Sequence, residues 1–196
     1  MKIGIFGGTF DPVHKGHVAL AKGALKEIGL DRLVFVPAIR SPLKSRSPVS
    51  SSVQRLRMLR SAVKKIPRCE VSLLELNRSG PSRTIETVKR FRKKYPGSRL
   101  YFVMGSDSLE NFKRWRRWRE ILADCELVVG KRKDAKVRPA KELERKALFL
   151  MSPMPDVSST RVRLALKAGR GLDRLVPAPV LRHIFKHGLY GSRKSH

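Results

Sequence analysis

Two short stretches carry side chains whose types and spacing suit the chemistry of phosphate. The first is Gly7-Gly8-Thr9-Phe10-Asp11-Pro12-Val13-His14-Lys15-Gly16-His17, which follows the apolar run Lys2 to Phe6 and leads into a helix-patterned segment. His14 and His17 stand three residues apart across that helix start, so their rings can point the same way, and Gly16 removes a side chain that would crowd them. A helix N-terminus offers unpaired N–H groups and the positive end of a dipole, both of which favour an anion. Gly7 and Gly8 are expected to take backbone conformations closed to other residues and to let a phosphate approach the chain. Imidazoles there can donate to a phosphoryl group whose charge grows in a transition state. The spacing is also compatible with a weak metal site or a solvated helix start, although no third His or Cys lies nearby in the sequence to complete a metal site.

The second stretch is Asp156-Val157-Ser158-Ser159-Thr160-Arg161-Val162-Arg163. Ser158 or Ser159 is placed to cap a helix whose first turn presents the hydroxyls of Ser158, Ser159 and Thr160, backbone N–H groups and Arg163. That makes a second anion site, or, taken alone, an ordinary capped helix with solvent-facing arginines. Neither stretch is G-x-G-x-x-G or G-x-x-x-x-G-K-[ST], so the dinucleotide fingerprint and the Walker loop are both absent.

The elements that must position these groups are legible in the periodicity. Continuous apolar, β-branched runs at Lys2–Phe6, Leu33–Val36, Val71–Leu74, Leu100–Met104 and Leu127–Val129, with a weaker one at Ala147–Met151, predict strands. Helical spacing predicts helices over Gly16–Ile28, Val53–Ile66, Thr84–Tyr95, Thr160–Lys167 and Pro179–Lys186. Strands of this kind alternating with helices argue for an α/β fold, a doubly wound, Rossmann-like parallel sheet with helices on both faces. In such a fold the first stretch falls at the C-terminal edge of the first strand, where α/β sheets bind phosphate. Residues 1–196 read as one domain, with 40–52 as a mobile basic loop, Lys131–Arg145 as an irregular charged stretch and 159–190 as a C-terminal helical part.

Composition narrows the class. The 196 residues hold 44 Lys plus Arg against 16 Asp plus Glu, a formal charge of +28, which favours polyanionic partners such as nucleotides, pyrophosphate or nucleic acid. Arg40 to Arg68 contains nine basic residues and no acid. No apolar run approaches the ~20 residues a membrane span needs, so no membrane partner is expected. Cys69 and Cys125 stand apart among apolar residues, which excludes a disulfide scaffold or CxxC module and suggests buried thiols in a reducing cytoplasm. Met104, Met151 and Met154 read as core fillers, and Trp118 as core.

The first stretch resembles the GxFDPxHxGH signature of the nucleotidyltransferase superfamily, and the second resembles its ISSTxxR signature. Between them, Phe102-Val103-Met104-Gly105-Ser106-Asp107-Ser108-Leu109 with Trp115 resembles the bacterial nicotinate mononucleotide adenylyltransferases. So do Ser52-Val53-Gln54-Arg55, Gly80-Pro81-Ser82-Arg83-Thr84 and Gly188-Leu189-Tyr190, and the likeness runs in order from residue 3 to residue 190. The resemblance implies that the 5′-phosphate of nicotinate mononucleotide attacks the α-phosphorus of ATP, giving nicotinate adenine dinucleotide and pyrophosphate. It implies that the Gly7-Gly8 turn, the amides of Thr9 and Phe10, His14 and His17 hold phosphates and that Lys44 closes over them. Ser158, Ser159, Thr160 and Arg163 would take the leaving pyrophosphate, and Arg132 would line the nucleotide site. Gly105 and Asp107 would meet the ribose side of the substrate, and Thr84 and Trp115 the pyridine ring. Mg²⁺ would arrive with ATP, without dedicated protein ligands.

The chain departs from the family pattern at three places. The loop that usually reads Pro-Pro-His-Lys is Ser41-Pro42-Leu43-Lys44, the usual Ser-Tyr-Thr is Ser82-Arg83-Thr84, and the aromatic usually following Trp115 is Arg116. Arg83 or Arg116 could therefore pair with the nicotinate carboxylate. The competing readings are adenylyl transfer to nicotinamide mononucleotide or phosphopantetheine, and a non-catalytic relative that binds nucleic acid through its charge.

Overall fold

A computed structural model describes residues 1–40, 47–78, 80–132 and 140–192. Among these residues six strands form one sheet: β1 (Lys2–Gly8), β2 (Arg32–Pro37), β3 (Cys69–Val71), β4 (Arg99–Gly105), β5 (Glu126–Arg132) and β6 (Ala147–Met154). Their order is β3-β2-β1-β4-β5-β6 and every pairing is parallel. β1 therefore pairs β2 on one side and β4 on the other, which makes the gap beyond the C-terminal ends of β1 and β4 the point where the winding reverses.

The period-2 geometry of a strand explains why both faces are apolar. Along β4, Leu100, Phe102 and Met104 enter one core while Tyr101 and Val103 enter the other. In β2, Leu33 and Phe35 point to the second of these faces and Val34 and Val36 to the first. Helices α1 (Lys15–Glu27) and α2 (Ser52–Val63), with the C-terminal helices α7 (Ser159–Ala168), α8 (Leu172–Leu175) and α9 (Ala178–Lys186), cover one face. On the opposite face lie α3 (Thr84–Lys94), α4 (Ser106–Glu110), α5 (Trp118–Asp124) and α6 (Lys141–Lys146). No helix among the described residues is long and apolar enough to cross a membrane.

Several expectations are corrected. The third strand is Cys69–Val71 rather than Val71–Leu74, because the chain turns at Leu73–Asn77, where the Asn77 N–H reaches the Leu73 carbonyl at 3.0 Å. Part of the stretch expected to be irregular is α6, and α4, α5 and α8 were not foreseen. These helices have four to seven residues, too short for a periodic signal, and burial of Leu109, Phe112, Trp118, Ile121 and Leu143 against the sheet holds α4 to α6 in place. Met104 and Met154 are core residues, but Met151 on the edge strand β6 is 89% exposed. Cys69 and Cys125 are free thiols, and burial pushes them up to about 11 and about 12, so both stay protonated and unreactive at neutral pH.

Candidate functional site

The winding reversal opens into a cleft of about 1320 Å³, which both phosphate-type stretches line. His14 is the N-cap of α1 and His17 its third residue. Their rings stack at 3.7 Å between centroids with 25° between planes, so the expected common direction is found. The His14 N–H donates to His17 Nδ1 at 3.2 Å. In its neutral form His17 then carries its proton on Nε2.

The expected backbone conformation of Gly7 and Gly8 is corrected. Both lie in extended β1, and the residue with a left-handed backbone is Phe10, with φ of 51°. That turn folds the Phe10 ring back into the core, 1% exposed, where it packs edge-on to His17 at 5.0 Å. A Cβ on Gly8 would stand 2.9 Å from the Phe10 ring, so glycine is required here by the returning aromatic rather than by its own dihedrals. Gly16 is needed for a second close approach, since a Cβ there would meet Val157 Cγ1 at 3.0 Å and His14 Nδ1 at 3.1 Å. Val157 directly precedes the cap of α7, so this glycine brings the two stretches together.

Ser158 is the cap of α7, accepting from the Arg161 N–H at 3.1 Å. The next residues fasten the helix start to the first stretch: the Ser159 hydroxyl donates to the Pro12 carbonyl at 2.9 Å, and Arg163 Nη1 donates to the Asp11 carbonyl at 2.7 Å. Arg163 Nη2 donates to the Thr160 hydroxyl at 3.1 Å, which fixes the guanidinium over the first turn of α7. Hydroxyls, helix N–H groups and a guanidinium thus face the same cleft as the stacked imidazoles.

Beneath the turn stands Arg55, 1% exposed on α2. Its Nη1 donates to the carbonyls of Thr9 and Ala38, both at 2.7 Å, and Nη2 to that of Ile39 at 3.3 Å. Because the Thr9–Phe10 peptide is planar and trans, fixing the Thr9 carbonyl toward Arg55 turns the Phe10 N–H the opposite way. Burial lowers the Arg55 pKa, opposed by the Asp11 carboxylate, and the guanidinium stays charged. Asp11, 4% exposed, is a junction: its carboxylate accepts from the N–H groups of Val49 at 2.7 Å and Ser50 at 3.2 Å and from the Tyr190 hydroxyl at 2.7 Å. Burial raises the Tyr190 pKa, so the phenol remains a donor.

At the other end of the cleft, Gly105 and Asp107 sit where β4 passes into α4. Trp115 is half-buried on the wall, edge-on to Phe102 at 5.6 Å, whereas Trp118 is 9% exposed in the core. Thr84, Arg83 and Arg116 do not line this cleft. Thr84 opens α3, Arg83 lies 3.8 Å from Glu86 on the same helix, and Arg116 faces solvent. The arginine that borders the cleft beside Trp115 is Arg114, at the end of the 3-10 turn Phe112–Arg114. Lys44 lies outside the described residues, and of Arg132 the backbone ends β5.

Asp11, Arg55 and Tyr190 fall within the motif segments of the sequence without a role assigned to them, and nothing in the sequence marks Arg114. Arg55 also occupies an apolar-stripe position with Met58, Leu59 and Val63.

The structure thus combines a six-stranded parallel sheet with the starts of α1 and α7 meeting in a cleft at its winding reversal. A family model described as cytidylyltransferase-like matches residues 5–165. The nicotinate-nucleotide adenylyltransferase of Bacillus subtilis (strain 168) is 36% identical over 191 residues, covering 97% of this chain and 99% of that protein. Two solved structures of the nicotinic acid mononucleotide adenylyltransferase of Plasmodium falciparum, complexed with APC and with NaAD, superpose with TM-scores of 0.79 and 0.77. They are 16% and 18% identical and cover 98% of each chain, so they share the fold. The chain belongs to the cytidylyltransferase-like family and, within it, to the nicotinate-nucleotide adenylyltransferases.

Proposed function

We propose that this protein transfers the adenylyl group of ATP to the 5′-phosphate of nicotinate mononucleotide, releasing pyrophosphate and forming nicotinate adenine dinucleotide, in the cytoplasm. The observation that carries the reading is the convergence on one cleft of the His14–His17 stack and the Ser158–Arg163 cluster. A phosphate oxygen of the mononucleotide forms the new bond to the α-phosphorus, and the bond from that phosphorus to the bridging oxygen of the leaving pyrophosphate breaks. No covalent enzyme intermediate is required, so positioning and charge stabilisation account for the catalysis.

In this reading His17 Nε2 and the His14 ring donate to the phosphates at the α1 start, with the Thr9 and Phe10 amides beside them. The α7 start, with Ser159, Thr160 and Arg163, takes the charge that develops on pyrophosphate. Lys44 adds a cation from the basic loop, and Arg132 meets the nucleotide. Trp115 packs on the pyridine ring, and Asp107 accepts from a ribose hydroxyl. Magnesium enters as part of the ATP substrate, where it neutralises phosphate charge. Both Asp11 oxygens already accept protein hydrogen bonds, so the ion would be held through the ATP phosphates and water.

The test is pyrophosphate release from ATP and Mg²⁺ with a panel of nicotinate mononucleotide, nicotinamide mononucleotide and phosphopantetheine. Release with nicotinate mononucleotide at a kcat/KM at least tenfold above the others supports the reading. Faster turnover of another acceptor, or none at all, overturns it.

A further inference from the structure

We infer that the α2–α9 face is a docking surface for the phosphodiester backbone of RNA, separate from the nucleotide cleft. Charge segregation is the first observation. The sequence holds no acid between Asp31 and Glu70 and none after Asp173, so neither α2 nor α9 carries a carboxylate, and the two helices pack on each other. Gln54 on α2 meets His183 on α9 at 2.5 Å, which fixes their relative placement.

The second observation is what the cations of this face lack. Ion pairs such as Lys89–Glu120, Arg99–Glu126, Lys113–Glu142 and Arg161–Asp156 lie on other parts of the molecule. Among the described residues no carboxylate pairs with Arg57, Arg60, Arg182 or Lys186, although all four are exposed. Arg57, Arg60 and Lys64 recur at i, i+3 and i+7, so they share one side of α2 and its C-terminal extension. On α9, His183 and Lys186 lie at i and i+3, and His187 follows at i+4 with its ring 4.4 Å from that of His183. The Gln54–His183 contact brings this side of α2 against this side of α9, and burial with the neighbouring His187, Arg57 and Lys186 lowers the His183 pKa.

The face suits a nucleic-acid backbone better than a membrane. Its exposed charged side chains are all cationic, and Val53 is the large exposed apolar residue of α2, so there is no apolar stripe to insert into lipid. Backbone contacts of this kind give affinity without sequence preference and a steep dependence on salt. About five such contacts to a single strand correspond to a slope of roughly −3.5 in log K against log salt.

The experiment measures binding of a labelled single-stranded RNA 20-mer to the full chain across a salt series. It compares wild type with Arg57→Glu/Arg182→Glu/Lys186→Glu and with Arg90→Glu/Lys93→Glu/Lys94→Glu on α3, which changes net charge equally. The expected result is at least a tenfold loss and a shallower slope for the first variant, less than threefold loss for the second, and adenylyl transfer unchanged in the first. The neutral triple Arg57→Gln/Arg182→Gln/Lys186→Gln, whose melting temperature is followed in parallel, shows the same order at smaller amplitude. Equal losses in both reversal variants would reduce the effect to net charge and overturn the proposal. So would absence of RNA binding at 50 mM salt, or binding to vesicles rich in anionic lipid without binding to RNA. A failed adenylyl-transfer assay with intact RNA binding would count against the cleft alone.

Discussion

At the residue scale the two imidazoles bear the largest consequence. Removing a donor aimed at a charge that grows in the transition state costs about 10²–10³ in rate, so His14→Ala and His17→Ala are each expected to lower kcat by that factor with melting temperature little changed. Steady-state pyrophosphate release checks it, and a change confined to KM would count against the assignment. Arg114 supplies a sharper test, because it borders the cleft with Trp115 while Arg83 and Arg116 stand outside. Arg114→Ala is expected to reduce the preference for the acid over the amide mononucleotide about tenfold, the order of a lost charge-assisted pair of about 1.4 kcal/mol. Arg83→Ala and Arg116→Ala should leave that ratio unchanged. The histidine pair was legible in the sequence because its partners lie three residues apart. Asp11 was not, because its partners Val49, Ser50 and Tyr190 are distant in the chain and meet it only after folding.

At the element scale the site depends on how closely the starts of α1 and α7 approach. Alanine has a better helix propensity than glycine by about 1 kcal/mol, yet Gly16→Ala is expected to lower kcat/KM about tenfold, since the methyl would press on Val157 and His14. Wild-type kinetics in that variant would show the approach to be looser than described. The Asp11 junction joins the first stretch, the residues entering α2 and the C-terminus, so Tyr190→Phe is expected to cost about 1 kcal/mol of stability. That corresponds to a fall in melting temperature of roughly 2–4 °C for a chain of this size, read by calorimetry. Elements with a long period were visible in the sequence: α1, α2, α3, α7 and α9, and five of the six strands near their observed places. β3 and the short helices α4, α5, α6 and α8 were not, because their position is set by packing on the sheet rather than by local pattern.

At the scale of the whole molecule, the strand order decides where the site can be, and the charge decides how the molecule behaves in salt. The reversal between β1 and β4 gives one crevice where Gly8, Gly105 and the α7 start can all border a ligand. With +28 on 196 residues, self-repulsion opposes the compact state and is screened as the Debye length shortens. The melting temperature is therefore expected to rise by a few degrees between about 0.01 M and 0.15 M salt, checked by thermal unfolding at fixed pH. The most direct measurement is a crystal structure with Mg²⁺ and an ATP analogue that cannot be cleaved between its α- and β-phosphates. A single triphosphate touching His14 and His17 on one side and Ser159, Thr160 and Arg163 on the other is the predicted result; phosphates held by only one of these clusters, or bound outside the cleft, would contradict it.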